Sequence, residues 1–193
     1  MRLSILALTL SFLSAAAMAT EANWHYLEGK DAVATKATSH SLSAGTSDAP
    51  NLVVVCNNLV RLTYLDWPTD FGVDRKQLPS HMLVHYDLGG GGADDQRTQS
   101  VDKDIWTISQ PSLGRTYVIT HDMLLPAQLT RNATMSLQVE ARDNLPQMSA
   151  SFSLERLHDA MQTNRLACTE EDRFFQRNRP SPSGPVSHGP DIR

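Results

Sequence analysis

Residues 135–142 read MSLQVEAR, and this stretch indicates the fold class more clearly than any other. Apolar Met135, Leu137, Val139 and Ala141 alternate here with polar neighbours. Because successive side chains of a β-strand point to opposite faces, strict alternation predicts a strand with one face buried and the other in water. The stretch therefore predicts a two-faced antiparallel sheet.

Similar alternation or β-branched runs recur along the chain and predict further short strands. Turn-forming residues such as Ser47-Asp48-Ala49-Pro50 separate some of them, and Gly89–Gly92 suits a connection between two strands. Trp24-His25-Tyr26 could start another strand, whereas residues 31–47 show no strong period. The predicted strands are Asn51–Cys56, Val60–Tyr64, His81–Leu88, Ile105–Ser109, Thr116–Thr120, Met135–Arg142 and Met148–Phe152.

The period changes after residue 152, where a helix from Leu154 to about Ala167 is predicted. Ser153 is the expected N-cap, and Phe152 and Leu157 fit a hydrophobic staple. Short strands followed by one helix predict a mainly β fold: a small antiparallel β-sandwich or barrel with one C-terminal helix and one disulfide. One apolar stripe of the helix would hold Leu154, Leu157, Met161 and Cys168.

The first 19 residues have the three parts of a secretory signal peptide. Arg2 precedes an apolar run, Leu3–Leu13, and small residues follow up to Ala17-Met18-Ala19. The run is shorter than the roughly 20 residues that span a bilayer, although an uncleaved anchor is the alternative. Cleavage after Ala19 would leave 193 − 19 = 174 residues, with no stable membrane insertion. The expected location is therefore periplasmic or secreted.

The remainder is expected to form a single β-rich domain, residues 20–172, and a disordered tail, residues 173–193. The tail reads RFFQRNRPSPSGPVSHGPDIR, whose prolines, glycines and polar residues cannot bury enough apolar surface to offset the ordering entropy. The net charge of the full chain is −4, which gives no electrostatic footprint for nucleic acid or anionic lipid. No nucleic-acid partner is therefore predicted.

The two cysteines, Cys56 and Cys168, are expected to form a disulfide. Cysteines of a small exported domain usually pair, and a redox pair would be closer in sequence, as in C-x-x-C. Loop-closure entropy attributes about 4.7 kcal/mol to a bridge around a loop of about 100 residues. Two free reactive thiols are the alternative.

No stretch of the chain predicts a catalytic residue, a metal site or a cofactor. His81 and His85 have the H-x-x-x-H spacing of a helical zinc site, but on a strand about 13 Å separates such positions. The aspartates around the glycine run do not follow the order of a calcium-binding loop, and no G-x-S-x-G motif is present. His85 and Asp87 share the outward face of a strand and are the candidate binding residues. The aspartates around the glycine run are Asp87, Asp94, Asp95, Asp102 and Asp104.

The order of landmarks resembles that of the small periplasmic VasI-type proteins associated with type VI secretion. This resemblance implies a β-rich domain with two spaced cysteines, a terminal helix and no enzymatic activity. The landmarks are Trp24, Asp31, a Ser/Thr-rich stretch, the strand ending in Cys56, Tyr86-Asp87, Trp106-x-x-Ser109, and Phe152 before a helix ending in Cys168.

Export, a disulfide and a two-faced sheet together predict a non-enzymatic periplasmic binding or accessory module. The module would belong to a cell-envelope secretion system, and its partner would be another envelope or secreted protein. Three alternatives stay open: a periplasmic toxin-immunity protein, a cell-envelope hydrolase that uses His81, His85 and Asp87, and periplasmic metal handling.

Overall fold

The computed structural model describes residues 23–43, 47–57, 60–71, 73–89, 102–140 and 145–168. The predicted leader and the predicted tail lie outside these ranges. Within them the chain forms ten strands: β1 (His25–Leu27), β2 (Ala32–Lys36), β3 (Ser39–Leu42), β4 (Asn51–Cys56), β5 (Arg61–Trp67), β6 (His81–Gly89), β7 (Asp102–Ser112), β8 (Arg115–Ile119), β9 (Thr134–Val139) and β10 (Met148–Ser153). Two short helices, α1 (Leu125–Leu129) and α2 (Leu157–Thr163), and one 3₁₀ turn, Arg75–Gln77, complete the described part.

All ten strands belong to one antiparallel sheet in the order β1-β2-β4-β5-β8-β7-β6-β9-β10-β3. The predicted mainly β, antiparallel fold is confirmed. The sheet is single, and its hydrogen-bonded ladder stops at β1 and β3 without closing. Its two ends are linked by the chain itself, because only Ala37 and Thr38 separate β2 from β3. The Ala37 N–H donates to Pro50 O (2.9 Å), and the Thr38 N–H donates to Ser151 O (2.8 Å).

One large core lies on the inner face of this sheet. The alternation that predicted β9 and β10 is observed: Met135, Leu137 and Val139 are buried, and their polar neighbours are exposed. Trp67 and Trp106 are fully buried in this core, whereas Trp24 is half-buried against it.

The disulfide between Cys56 and Cys168 is confirmed, with 5.1 Å between the two Cα atoms. It joins the end of β4 to the segment that follows α2, and both cysteines are buried. Cys168 lies beyond the helix and not at its end. Among the described residues, no helix is both long and apolar enough to cross a membrane.

The predicted helix is wrong in its length and in its start. α2 begins at Leu157 because Ser153 is still paired with Thr134 in the sheet, so Ser153 is not the N-cap. The cap position is Arg156, whose φ of 62° is left-handed. The stripe residues Leu154, Leu157, Met161 and Cys168 are nevertheless all buried. α1 is a second helix that was not predicted.

Other strand predictions differ mainly at their ends. β2 was missed because Ala32, Val33 and Ala34 are all buried, so this strand shows no polar alternation. β9 ends at Val139, earlier than the predicted Arg142. β6 and β7 are antiparallel neighbours, as the glycine connection predicts, and residues 90–101 lie outside the described ranges.

Candidate functional site

The candidate binding residues His85 and Asp87 both lie on the outer face of β6. This placement follows from the period of two, since Met82, Val84 and Tyr86 of the same strand are buried in the core. The structure therefore brings the two predicted residues to one surface.

His85 has an acidic partner that the sequence did not indicate. Its Nε2 lies 2.7 Å from Oε1 of Glu140, the residue directly after β9. The side chain of His85 is 16% exposed and that of Glu140 is 58% exposed. Because β6 and β9 are paired, this contact holds the imidazole in place at the surface.

Asp87 is half-buried, and its Oδ1 is buried without a hydrogen-bond partner among the described residues. Buried polar atoms are nearly always hydrogen-bonded, so such an acceptor calls for a donor from elsewhere. Across the sheet Asp87 lies opposite Ser136 of β9. Of the other aspartates around the glycine run, Asp94 and Asp95 lie outside the described residues.

An apolar pair lies beside these polar residues. Leu83 of β6 and Ile105 of β7 are directly opposite each other on the outer face. Ile105 is 60% exposed, although a strand's outward positions are usually polar in an antiparallel sheet. We call Leu83, His85, Asp87, Ile105 and Glu140 the β6–β7 patch.

Apolar side chains continue on the outer face toward the other end of the sheet. Ala32, Ala34 and Val53 form a second, small buried cluster there. Leu27, Val55 and Tyr64 pack against this cluster. On the outer face from β1 to β5, these side chains thus form a small second core that is separate from the main one.

An aromatic and charged cluster lies on the outer face of β5 and β8. The rings of Tyr64 and Tyr117 are 5.1 Å apart, and the Arg115 guanidinium lies 5.6 Å from the Tyr117 ring centre. Arg115 Nε donates to Asp66 Oδ1 (2.6 Å), and its terminal nitrogen contacts Asp66 Oδ2. This bidentate contact raises the pKa of Arg115. Burial, Tyr117 and Asp66 raise the pKa of Tyr64 to about 12.

The outer face of β9, β10 and β3 is different again, because short hydroxyl side chains line it. Ser41 Oγ lies 2.7 Å from Ser149 Oγ, and Ser136 Oγ lies 3.1 Å from Ser151 Oγ. These pairs satisfy each other across neighbouring strands. The face is therefore a polar surface that faces water.

Two other histidines of the described part contact hydroxyl groups. His81 Nδ1 lies 2.8 Å from Ser80 Oγ, and His121 Nε2 contacts Thr107 Oγ1. His81 and His85 lie on a strand and not on one helical face. Among the described residues, no group of three or more His, Cys, Asp or Glu side chains is placed to hold a metal ion.

A groove lies where the two ends of the sheet approach each other. Trp24, which precedes β1, donates from Nε1 to Glu155 O (3.0 Å), just after β10. The cavity measures about 280 Å³. We call it the seam groove; its lining residues are Asn23, Trp24, Arg156, Asp159, Ala160, Thr163 and Asn164.

The sequence did not indicate the seam groove or the Asp66–Arg115 contact. Arg156 and Asp159 are separated from Trp24 by more than the length of any local motif, and only the sheet order brings them together. Residues Asp66 and Arg115 are 49 positions apart and meet because β5 pairs with β8. The one available signal was Trp24, an aromatic residue at the edge of the predicted domain.

Comparisons of the chain with protein-family models, with curated proteins and with solved structures find no match. The resemblance to VasI-type proteins therefore stays a prediction.

Proposed function

We propose that this protein is an exported, non-enzymatic binding module of the bacterial envelope, and that it docks another envelope or secreted protein on the β6–β7 patch. The exposed Ile105, directly opposite Leu83, is the observation that carries the proposal. An apolar centre with a polar rim is the usual anatomy of a protein interface.

The rim indicates the chemistry of the partner. Glu140 is largely exposed beside His85, and Asp87 has a buried carboxylate oxygen with no donor among the described residues. The full chain also has a net charge of −4. A partner surface with an apolar side chain surrounded by lysine or arginine donors would complement this patch.

Export is supported by the disulfide. A bridge between Cys56 and Cys168 is stable in an oxidising compartment and rare in the cytosol. The predicted leader, residues 1–19, supplies a route to that compartment. An accessory module of a cell-envelope secretion system would be one specific form of such an exported binding protein.

Site-specific photo-crosslinking in the native cell tests the proposal. A photoreactive residue at position 105 should give a discrete adduct with an envelope protein. The same residue at position 149, on the hydroxyl-lined face, is the matched control and should give none. Leu83→Asp should remove the adduct at position 105 by placing a charge in the apolar centre, while circular dichroism remains unchanged.

The partner's identity then follows from mass spectrometry of the adduct. Asp87→Asn should weaken binding of the purified partner by about tenfold if the carboxylate meets a basic group. Equal adducts at positions 105 and 149, or an adduct that survives Leu83→Asp, would contradict docking on this patch.

A further inference from the structure

We propose that the seam groove binds a pyranose sugar that carries a carboxylate, with Arg156 on the carboxylate and Trp24 against the ring. This site is separate from the β6–β7 patch and would take a small ligand in addition to a protein partner.

The groove exists because the ladder of the sheet is open. β1 pairs only with β2, and β10 pairs with β9 and β3, so no strand hydrogen bonds join β1 to β10. Among the described residues, a side-chain bond from Trp24 Nε1 to Glu155 O spans the gap. The cleft beside that bond is bounded by α2 on its other wall. Small-molecule sites are typically clefts of this kind in the protein surface.

Arg156 is poorly explained by the fold alone. Its φ of 62° lies in the left-handed region, which glycine adopts without strain and a long side chain rarely adopts. The side chain makes no hydrogen bond or ion pair with any described residue, although Asp159 lies in the same groove. Strained residues of this kind cluster at binding sites, and the exposed guanidinium is the group that a ligand would engage.

The lining selects the class of ligand. Most of the lining side chains are polar, and carboxylate, amide and hydroxyl groups bind the hydroxyls of a sugar. The Trp24 N–H is already used, so the indole offers the groove only its apolar ring. Asn164 Nδ2 donates to Ala160 O (2.7 Å), which leaves its amide oxygen as an acceptor.

Size and charge narrow this class further. The volume of about 280 Å³ is near the lower limit of about 300 Å³ for small-molecule pockets and suits one monosaccharide. A neutral sugar would leave the Arg156 charge unpaired, whereas a carboxylate can accept two parallel hydrogen bonds from it. A carboxylated pyranose matches both features.

Titration of the purified, oxidised full chain with two pairs of sugars tests this inference. N-acetylmuramic acid is compared with N-acetylglucosamine, which lacks its lactyl ether and the carboxylate on it, and glucuronic acid is compared with glucose, which has a hydroxymethyl group in place of the carboxylate. At least one acid should bind with a dissociation constant of about 1 mM or tighter, and its neutral counterpart at least about tenfold more weakly. The indole N–H resonance of Trp24 should move with the acid. Which acid binds then tells whether the carboxylate is attached through a lactyl group or at the ring carbon.

Two glycine variants separate binding from folding. Arg156→Gly should leave the unfolding midpoint the same or higher, yet weaken acid binding by at least about tenfold. Arg165→Gly is the matched control, because Arg165 also has a left-handed φ, 57°, but does not line the groove. It should bind the acid as the wild type does. No binding of either acid at about 10 mM, equal binding of acid and neutral sugar, or unchanged binding in Arg156→Gly would overturn the inference.

Discussion

Strands β4 and β9 have the same length, six residues, and belong to the same sheet, yet they differ in their contact with water. On β9 every second side chain is exposed, and these outward residues are Thr134, Ser136 and Gln138. On β4 the outward Val53 is only 1% exposed, because it belongs to the small outer cluster with Ala32 and Ala34.

The outer face of one sheet thus has two kinds of surface. Around β4 it adds a second layer of packing beside the disulfide, since Cys56 ends that strand. Around β9 it is a polar surface in contact with the β6–β7 patch through the pairing of β6 with β9. Stability should therefore depend on the β4 side, and recognition on the β6–β9 side.

The largest effect should come from breaking the bridge at the end of β4. Reduction of the Cys56–Cys168 disulfide, which closes a separation of 112 residues, should lower the free energy of unfolding by about 2–5 kcal/mol. Urea denaturation with and without a thiol reductant measures this loss. An unchanged midpoint would show that the bridge does not constrain the unfolded chain.

A lysine on each outer face compares the two strands directly. Val53→Lys should destabilise the fold by about 2–4 kcal/mol, because it desolvates an unpaired charge within the outer cluster. Gln138→Lys, at an exposed position of β9, should change the free energy of unfolding by less than about 0.5 kcal/mol. Equal losses in the two variants would contradict the comparison.

The burial of the outer face around β4 should also affect the stability of the fold in alkaline solution. Tyr64 lies opposite Val53, and burial, Tyr117 and Asp66 raise its pKa to about 12 from the ordinary 10. Between these values the folded state keeps a proton that the unfolded state has lost, so stability should fall as the pH rises from about 10 to about 12. Tyr64→Phe should remove this part of the fall, as measured by denaturation at several alkaline pH values. A fall of the same size in the variant would assign it to other groups.

The smallest effect is expected on the hydroxyl-lined face. Ser149→Ala removes the hydrogen bond with Ser41, but water can replace it at this exposed surface. The free energy of unfolding should change by less than about 0.5 kcal/mol. A loss above about 1 kcal/mol would show that the serine pairs hold β3 to the sheet.

The predictable parts of the fold were those with a local signal. The alternation in β9 and β10, and the outward placement of His85 and Asp87, follow from the period of two alone. β2 shows no such alternation, because its side chains are buried on both faces of the sheet. The start of α2 was misplaced because Ser153, a good N-cap, is held in β10 by its pairing with Thr134.

The candidate site depended more heavily on long-range pairing. Glu140 meets His85 only because β9 lies beside β6, and Tyr64 meets Tyr117 only because β5 lies beside β8. No short segment of the sequence determines the strand order, since each strand is compatible with several neighbours. The seam groove is harder still to predict from the sequence, because its formation depends on the positions of both ends of the sheet.

Export with an intact bridge is tested most directly by intact-mass spectrometry of the chain recovered from the envelope fraction of its native cell. Free thiols are first alkylated under non-reducing conditions. The expected mass is that of a chain that begins at Thr20 and carries no alkyl group. It is two hydrogens below the mass of the reduced chain. A chain that retains its leader in the cytosolic fraction, or one with both cysteines alkylated, would contradict an exported, disulfide-closed binding module.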